Sequence, residues 1–212
     1  MHRPTAFAMD EPQRLLALVR AHPLAVLAVN GPAGPVLAHV PLAAQTDAKG
    51  RIAALVGHVA RANPFWRAAE VEGACAAVFT GPDAYVSPAF YPSKAEHGRV
   101  VPTWNYLRVE VRGRLRLEPD AAAMRPYLDA PTAAMEAARV APWAVADAPE
   151  PYVSKLSAAV VGVRLAADIV EGVWKLSQNK VGTPDHAGVV AGLAASPDPA
   201  ARAVAAVMRD DL

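Results

Sequence analysis

The stretch Leu107-Arg-Val-Glu-Val-Arg-Gly-Arg-Leu-Arg-Leu117 alternates between apolar and charged residues. Apolar side chains occupy positions 107, 109, 111, 115 and 117, and charged side chains occupy the even positions from 108 to 116. Successive side chains of a β-strand point to opposite faces of its sheet. A period of two over this length therefore predicts a strand with one buried and one solvated face.

Short apolar or alternating runs bounded by turn residues predict the other strands. Asn30-Gly-Pro-Ala-Gly34 and Asp47-Ala-Lys-Gly50 are strong turn signals, so the first three strands are expected to form an antiparallel meander. Gly81-Pro-Asp83 is expected to end the fourth strand. Besides the strand at 107–117, the predicted strands are Leu24–Val29, Val36–Ala44, Arg51–Val59, Gly73–Thr80 and Val160–Ile169.

Residues that typically begin or end helices predict two helices in the first third of the chain. The first begins after Asp10, a residue suited to capping a helix N-terminus, and ends before His22-Pro23. The second follows Asn63-Pro64, an N-cap with proline at the first helical position, and covers Phe65–Val71.

Helices are also predicted in an insertion at about 119–157 and at the end of the chain. Few helices separate the sequential strands, which favours an antiparallel α+β fold over a parallel doubly wound sheet. We expect a small barrel with peripheral helices, and a single domain over residues 1–212. The predicted helices are Ala121–Leu128, Thr132–Arg139 and Glu150–Ser157 in the insertion, and a C-terminal pair at about 184–210 whose caps are Asp185 and Asp198.

The composition excludes several classes of protein. The 212 residues carry 21 basic and 20 acidic side chains, a net charge of +1, which argues against a dedicated binder of polyanions. No apolar run reaches the roughly 18 residues that a membrane-spanning helix needs. The first ten residues hold no apolar signal-peptide region. The single cysteine, Cys75, cannot form an intramolecular disulfide or a multi-cysteine metal site. We therefore expect a cytoplasmic protein that does not bind membranes.

Standard catalytic and nucleotide-binding signatures are missing from the sequence: there is no Gly-x-Gly-x-x-Gly, Walker loop, Gly-x-Ser-x-Gly or His-Glu-x-x-His. Five other segments place aromatic residues beside amides, hydroxyls or a cation at predicted strand ends. A planar cofactor with a phosphate tail needs that mixture: flat apolar surface for its ring, amides for its edge and cations for its phosphate. The segments are Leu37–Leu42, Gly57–Trp66, Phe79–Pro88, Val101–Tyr106 and Lys175–Asn179.

These segments resemble motifs of the PaiB family, described as FMN-binding negative transcriptional regulators built on the FMN-binding split barrel. The motifs occur in the family's order and span nearly the whole chain. After the last motif the family tends to continue with Arg and a charged helix start, whereas this chain continues with Lys180-Val-Gly-Thr-Pro-Asp185. The matching stretches are Met1-His-Arg-Pro-Thr-Ala-Phe7 with Asp10, His39 with Pro41, His58-Val-Ala-Arg-Ala-Asn-Pro64, Gly81-Pro-Asp-Ala-Tyr-Val-Ser-Pro88, Tyr91-Pro-Ser-Lys94, Val101-Pro-Thr-Trp-Asn-Tyr106 and Lys175-Leu-Ser-Gln-Asn179.

The resemblance implies that FMN binds in a groove between two subunits of a homodimer. Arg61, which precedes a predicted helix N-terminus, and Lys175 are expected to neutralise the phosphate. Lys175 and its neighbours would complete the site from the same or from the other subunit. The implied cofactor-binding residues are His39, Val40, Pro41 and Leu42 as a wall for the ring; His58, Ala60, Arg61 and Asn63 near the phosphate; Thr103, Trp104 and Asn105 at the ring or its edge; and Lys175, Ser177 and Gln178.

These residues also have simpler structural interpretations. His39 and His58 could be half-buried histidines bonded to backbone, and Asn63 could serve only as a helix cap. The four tryptophans could belong to the core. Cys75 could be a small buried hydrophobe, and the arginines of 108–116 could form a solvated strand face.

Three functions stay open at this point. The first is a flavin-binding regulator, and the second is an FMN-dependent oxidoreductase, because the split barrel also hosts flavin reductases and pyridoxamine-phosphate oxidases. The third is a repressor that binds DNA through the C-terminal helix pair, whose spacing mimics a helix-turn-helix. Its second helix offers only Arg202 and Arg209, whereas a recognition helix needs several side chains that reach bases and phosphates. Direct DNA binding is therefore not expected.

Overall fold

The computed structural model describes residues 2–69 and 72–211. The chain divides into two compact units, each built from separate stretches of sequence. That these stretches make one domain stays a prediction. The first unit contains Met1–Asp10, Thr80–Arg108 and Gly172–Leu212, and the second contains Glu11–Phe79 and Val109–Glu171.

Eight strands occur within the described residues. They pair in the order β3-β2-β6-β7-β8-β5-β4, and β1 pairs with β8. The ladders β1–β8, β2–β3, β2–β6, β4–β5 and β5–β8 are antiparallel. The strands are β1 (Ala8–Met9), β2 (Leu24–Gly31), β3 (Gly34–Pro41), β4 (Ala43–Thr46), β5 (Ile52–Ala60), β6 (Glu72–Val86), β7 (Thr103–Glu118) and β8 (Val160–Lys175).

Seven helices accompany the strands in the described part of the chain. Two of them, α4 and α5, lie between β7 and β8, and the last two follow β8. The predicted α+β class is therefore confirmed. The helices are α1 (Pro12–Ala21), α2 (Phe65–Ala68), α3 (Ser93–His97), α4 (Arg125–Glu136), α5 (Glu150–Ser157), α6 (Pro184–Ala194) and α7 (Pro199–Asp211).

The alternating stretch forms the predicted strand. All five of its apolar positions, 107, 109, 111, 115 and 117, are buried. β7 also begins four residues earlier than the apolar pattern indicates, at Thr103. The buried position of that extension is the polar Asn105, which is why hydrophobic alternation alone does not find it.

The predicted meander is wrong. The segment expected as one strand at 36–44 breaks at Leu42, whose amide donates to the carbonyl of Pro23 at 2.9 Å. β3 then pairs with β2, whereas β4 pairs with β5, so the two hairpins lie at opposite ends of the strand order. The short turns correctly predict each hairpin but not the break between them.

Several predicted boundaries also differ from the structure. β6 runs through Gly81-Pro82-Asp83 to Val86 where an end was expected, and β8 continues to Lys175. The helices expected at 121–128 and 132–139 are one helix, α4. The helix expected over 65–71 ends at Ala68, and Val71 lies outside the described residues.

Two of the predicted aspartate caps are wrong. Asp10 does not cap α1, because its carboxylate pairs with Arg3. Asp185 lies inside the first turn of α6, whose N-cap is Thr183. Asp198 does accept a hydrogen bond from the Ala200 amide at the start of α7, at 2.9 Å.

In the first unit, α6 packs against Phe90 through two glycines one helical turn apart. A Cβ at Gly188 would lie 2.1 Å from the Phe90 carbonyl oxygen, and a Cβ at Gly192 would lie 2.3 Å from the Phe90 ring. Both distances are too short for a side chain, so this face of α6 requires glycine.

We predict that Gly188→Ala destabilises the protein by about 1–3 kcal/mol, because the new methyl group collides with backbone. Helix propensity alone predicts the opposite sign, a gain of about 0.5–1 kcal/mol. Urea unfolding measures the difference. The exposed Ala191→Gly on the same helix calibrates the propensity effect, and a stabilised Gly188→Ala would contradict the packing.

Candidate functional site

A cavity of about 390 Å³ lies in the first unit, beside the start of β7 and the end of β8. This volume falls in the usual range for small-molecule sites. Four of the predicted cofactor-binding residues line it: Thr103, Asn105, Lys175 and Ser177. The other lining residues are Phe7, Tyr91, Arg99, Val100, Val101, Pro102, Asn179 and Lys180.

Lys175 is the predicted cation, and the structure holds its ammonium in place. Its Nζ donates to the carbonyl oxygen of Trp104 at 2.7 Å and to the Thr103 hydroxyl. Partial burial lowers the pKa of Lys175. Two of the three N–H donors of the ammonium are thus used by the protein, which leaves one for a ligand.

Asn105 and Ser177 form a reciprocal pair at the floor of the cavity. The Asn105 amide donates to the Ser177 oxygen at 3.0 Å, and the Ser177 hydroxyl donates back at 3.1 Å. The amide also lies 3.5 Å from the sulfur of Met208 on α7. Ser177 has φ 59°, a left-handed conformation that is uncommon for residues other than glycine. The pair therefore fixes a strained backbone at the cavity wall.

The loop where this chain departs from the PaiB pattern is closed by an ion pair. Lys180 Nζ lies 2.8 Å from Asp185 Oδ2 and 5.0 Å from the ring centroid of Tyr91. Asp185 is buried and also accepts hydrogen bonds from the Ser93 amide and hydroxyl, at 3.1 and 2.8 Å. The hydrogen bond from Lys180, followed by those from Ser93, holds the pKa of Asp185 below its ordinary value.

The charges around the cavity suit an anion. Three cations line it, Arg99, Lys175 and Lys180, and its described lining contains no carboxylate. The exposed Arg99 side chain makes no hydrogen bond or ion pair with the described residues. A ligand with a phosphate tail and a flat ring would find cations, hydroxyls, an amide and the rings of Phe7 and Tyr91 in one cavity.

The two remaining predicted residues of this unit lie beside the cavity. Trp104 is about half exposed and contacts Tyr85 edge to face, with 6.1 Å between ring centroids. The Gln178 carboxamide is bonded within the loop, where its oxygen accepts from the Leu176 amide at 2.8 Å and its nitrogen donates to the Trp174 carbonyl.

The other eight predicted residues belong to the second unit. The expected wall, His39 to Leu42, includes the end of β3, where Val40 and Leu42 are buried and His39 and Pro41 are exposed. This segment lies directly against Gly57 of β5, since a Cβ at Gly57 would lie 2.5 Å from the Pro41 carbonyl oxygen. The segments at 39–42 and 58–63 are thereby brought together.

Arg61 and Asn63 both have structural partners. The Arg61 guanidinium donates to three backbone carbonyls, at Ala158 (2.7 Å), Pro119 (2.6 Å) and Val160 (2.9 Å). The Asn63 side chain accepts from the Phe65 amide at 3.0 Å, but Asn63 is not the predicted N-cap, because the N-cap of α2 is Pro64. Ala60, at the end of β5, is exposed. The phosphate contact of Arg61 stays a prediction, but the geometry gives this arginine another role.

Several cavity residues are not found by sequence reasoning. Arg99 is the clearest case, because it follows Gly98 in a loop between two recognised motifs. Tyr91 and Phe7 lie within recognised motifs, but nothing in those motifs assigns the two residues to the site. The available signal for Arg99 is its place two residues before the motif Val101-Pro-Thr-Trp-Asn-Tyr106.

The simpler interpretations hold for some of the weighed residues. Cys75 is buried, and burial raises the pKa of its thiol to about 12. Trp174 is a core residue, whereas Trp104 and Trp143 are about half exposed. Within residues 2–69 and 72–211, no group of three or more His, Cys, Asp or Glu is placed to hold a metal ion. No helix of that part of the chain is long and apolar enough to cross a membrane.

Comparison with known families decides the cofactor. Residues 1–168 match the family model described as "Putative FMN-binding domain". The chain belongs to this family. Its cofactor is accordingly FMN, and the residues of the first-unit cavity fit that group, because they combine three cations with aromatic rings, hydroxyls and a buried amide.

Relatives of this FMN-binding domain match it along most of their length. An uncharacterized protein of Aspergillus fumigatus is 31% identical over 222 residues, covering 84% of this chain and 85% of its own. The Bacillus subtilis protein named "Protease synthase and sporulation protein PAI 2" is 28% identical over 215 residues, covering 100% and 98%. The predicted resemblance to the PaiB family is confirmed.

Solved structures share the fold of the FMN-binding domain. The FAD and heme binding protein from Mycobacterium smegmatis superposes with a TM-score of 0.57 at 23% identity, covering 87% of this chain and 80% of its own. The flavocytochrome Anf3 from Azotobacter vinelandii gives a TM-score of 0.54 at 16% identity, covering 79% and 69%. The predicted antiparallel split-barrel fold is confirmed.

We predict that Asp185→Asn lowers the stability of the FMN-binding domain at neutral pH, because it removes the Lys180 ion pair. The pKa of Asp185 is lower in the folded than in the unfolded state, so its carboxylate stabilises the fold above the unfolded pKa of about 3.9. That stability is lost as the pH falls through the folded pKa. Urea midpoints of the two proteins should therefore differ at pH 7 and converge below about pH 4.

The control is Glu96→Gln, at an exposed acid of α3 without an ion pair among the described residues. It should leave the midpoint unchanged at both pH values. A difference for Asp185→Asn that persists undiminished into acid would mean that packing, not charge, carries the effect.

Proposed function

We propose that this FMN-binding domain holds its flavin in the first-unit cavity and regulates transcription through the state of the flavin or a bound ligand. The observation that carries the site assignment is the charge of the cavity: three cations and no carboxylate among its described lining residues. The reducing cytosol is the proposed location, supported by the lone buried Cys75.

Lys175 and Arg99 are the proposed phosphate ligands. Lys175 keeps one N–H donor after its two bonds to Trp104 and Thr103. The Arg99 guanidinium bonds to none of the described residues, and it can bind a phosphate with two parallel hydrogen bonds. Lys180 is engaged by Asp185 and supports the loop instead.

The flavin, when bound, supplies the redox chemistry. The protein's own residues bind and orient it. Asn105 and Ser177 offer polar groups at the cavity floor, and Phe7 and Tyr91 offer flat apolar surface. Because no described lining residue is a carboxylate, the phosphate meets no like charge there.

We predict that Arg99→Ala weakens FMN binding about 10- to 100-fold and leaves riboflavin binding unchanged, since riboflavin lacks the phosphate. The magnitude follows from about 1.5–3 kcal/mol for a charge-assisted hydrogen bond. Fluorescence titration of both flavins measures it. The matched control is Arg209→Ala on α7, which should change neither affinity.

Arg61→Ala separates the two assignments of the phosphate. If the bonds of Arg61 to backbone carbonyls are its role, its loss should affect FMN and riboflavin equally. If Arg61→Ala weakens the binding of FMN but not of riboflavin, and Arg99→Ala leaves FMN affinity unchanged, the phosphate site must instead be assigned to the second unit.

We infer that the functional form is a homodimer. Apolar side chains beside the cavity are left uncovered: Val101 is 74% exposed, Trp104 52% and Tyr85 49%. Tyr85 and Trp104 contact each other, and contiguous exposed apolar groups mark interfaces. A partner covering them would also close the cavity, since Val101 lines it.

We predict that light scattering gives a mass of twice 22.2 kDa at micromolar concentration. Val101→Glu should shift the protein toward monomer, because a charge would enter the interface. It should also weaken FMN binding, because a carboxylate in the cavity lining would repel the phosphate. Val140→Glu, at a fully exposed position of the second unit, is the control and should do neither. A stable wild-type monomer that retains flavin would contradict the inference.

The C-terminal helices are poorly suited to reading DNA. α6 packs on Phe90 through its glycines, and α7 buries Val204 and Met208. Of the two arginines of α7, Arg202 donates to the carbonyls of Ser196 and Pro197, at 2.8 and 2.7 Å. Regulation is therefore proposed to pass through a partner or metabolite and not through operator binding.

We predict only weak, salt-sensitive DNA affinity at about 150 mM salt, because few phosphate contacts are available and each contributes about 0.9 to the salt slope. An anisotropy titration with oxidised and reduced FMN bound provides the measurement. Nanomolar, sequence-selective binding would contradict the proposed route of regulation. Sustained oxidation of added NAD(P)H would instead identify the alternative, an FMN-dependent oxidoreductase.

A further inference from the structure

A second cavity, of about 340 Å³, lies in the second unit under the helical segment between β7 and β8. Its chemistry is the reverse of the first, since its described lining contains no Lys, Arg, Asp or Glu. It is lined by His58, Leu128, Thr132, Trp143, Val145, Ala148, Tyr152, Val153, Leu156, Ala159 and Val160.

His58 is the one imidazole among the described lining residues, and its hydrogen bond determines whether its other ring nitrogen can donate to or accept from a ligand. Its Nδ1 lies 3.2 Å from the carbonyl oxygen of Tyr127 on α4. A carbonyl oxygen can only accept, so Nδ1 carries the hydrogen, and Nε2 of the neutral ring is an acceptor. A neutral ligand that donates one hydrogen bond would therefore match His58.

Close packing next to the cavity holds His58 and α4 in place. A Cβ at Gly162 of β8 would lie 2.6 to 2.9 Å from three atoms of the Tyr127 ring, so this ring lies flat on the glycine backbone. The same residue accepts the hydrogen bond from His58, which ties α4 to β5. A cavity preformed in this way loses little freedom when a ligand binds.

Three large side chains at the cavity leave apolar surface in water. Trp143 is 48% exposed, Tyr152 57% and Leu156 48%. Tyr152 and Leu156 are four residues apart on α5 and therefore share one face of that helix. A ligand inserted beside them would bury surface that the protein itself leaves uncovered.

We propose that this cavity is a second binding site, for an uncharged aromatic molecule of two or three fused rings that donates one hydroxyl or N–H to His58 Nε2. An apolar cavity of about 150 Å³ accommodates benzene, so this volume accommodates a larger ring system. FMN itself is excluded because its phosphate would meet no cation there. The assignment rests on the proposed flavin site in the first-unit cavity, because His58 is also one of the residues that the family resemblance places near FMN.

Calorimetric titration of the full-length protein at pH 8 with three probes tests the proposal: 2-naphthol, naphthalene and 2-naphthoate. We expect 2-naphthol to bind about fivefold more tightly than naphthalene, the value of one net hydrogen bond. The carboxylate of 2-naphthoate should make its binding at least tenfold weaker than that of 2-naphthol.

Four variants locate the binding. His58→Phe should make the affinities for 2-naphthol and naphthalene equal. Ala148→Trp should abolish the binding of both probes, because the larger side chain fills the cavity. Leu156→Lys, at a half-exposed position that tolerates charge, should weaken both neutral probes and improve 2-naphthoate. Met135→Ala, an exposed α4 residue outside the lining, should change nothing.

Equal affinity of the wild type for all three probes would overturn the proposal. So would binding that His58→Phe and Leu156→Lys leave unaltered. FMN titration of Ala148→Trp provides the fold check, and FMN affinity should match the wild type.

Discussion

The buried hydrogen bonds between Asn105 and Ser177 are the constraint on which the candidate site depends. Asn105 is fully buried, and leaving its amide without hydrogen-bond partners would lower the stability of the fold by about 1–3 kcal/mol. Its partners are Ser177 and the sulfur of Met208, so the start of β7, the segment that follows β8 and α7 meet at one side chain. The left-handed backbone of Ser177 persists because this network holds it.

Charge distinguishes the two cavities. The first collects three cations beside polar groups, and Asp185 is bonded to Lys180 and Ser93 rather than lining it. The second collects aromatic and aliphatic side chains around one imidazole. An anionic cofactor should therefore bind in the first cavity and a neutral aromatic ligand in the second. The reason is that removing a phosphate from water without pairing it with a cation costs free energy.

Hydrophobic periodicity predicted the longer strands but not the two-residue β1, because burial of alternate residues is a local property that needs several residues to show. The stretch 107–117 shows this directly. The hairpin order could not be read in the same way, since the break at Leu42 depends on a hydrogen bond to the Pro23 carbonyl. Strand ends were missed where the buried position is polar, as at Asn105.

The candidate site was predictable where a motif carries the chemistry. Lys175, Ser177, Thr103 and Asn105 line one cavity as a group. Arg61 shows the limit of the method, because a sequence shows a guanidinium near a helix start but not the three carbonyls that bind it. Arg99 shows the reverse, a cation outside every recognised motif that the fold brings to the cavity.

The position of the FMN phosphate tests the central claim most directly. A crystal structure of the FMN complex measures the distance from the phosphorus atom to each candidate cation. The account predicts phosphate oxygens within hydrogen-bond distance of Lys175 Nζ and the Arg99 guanidinium. A phosphate bound at Arg61, with Lys175 still engaged only by Thr103 and Trp104, would contradict it.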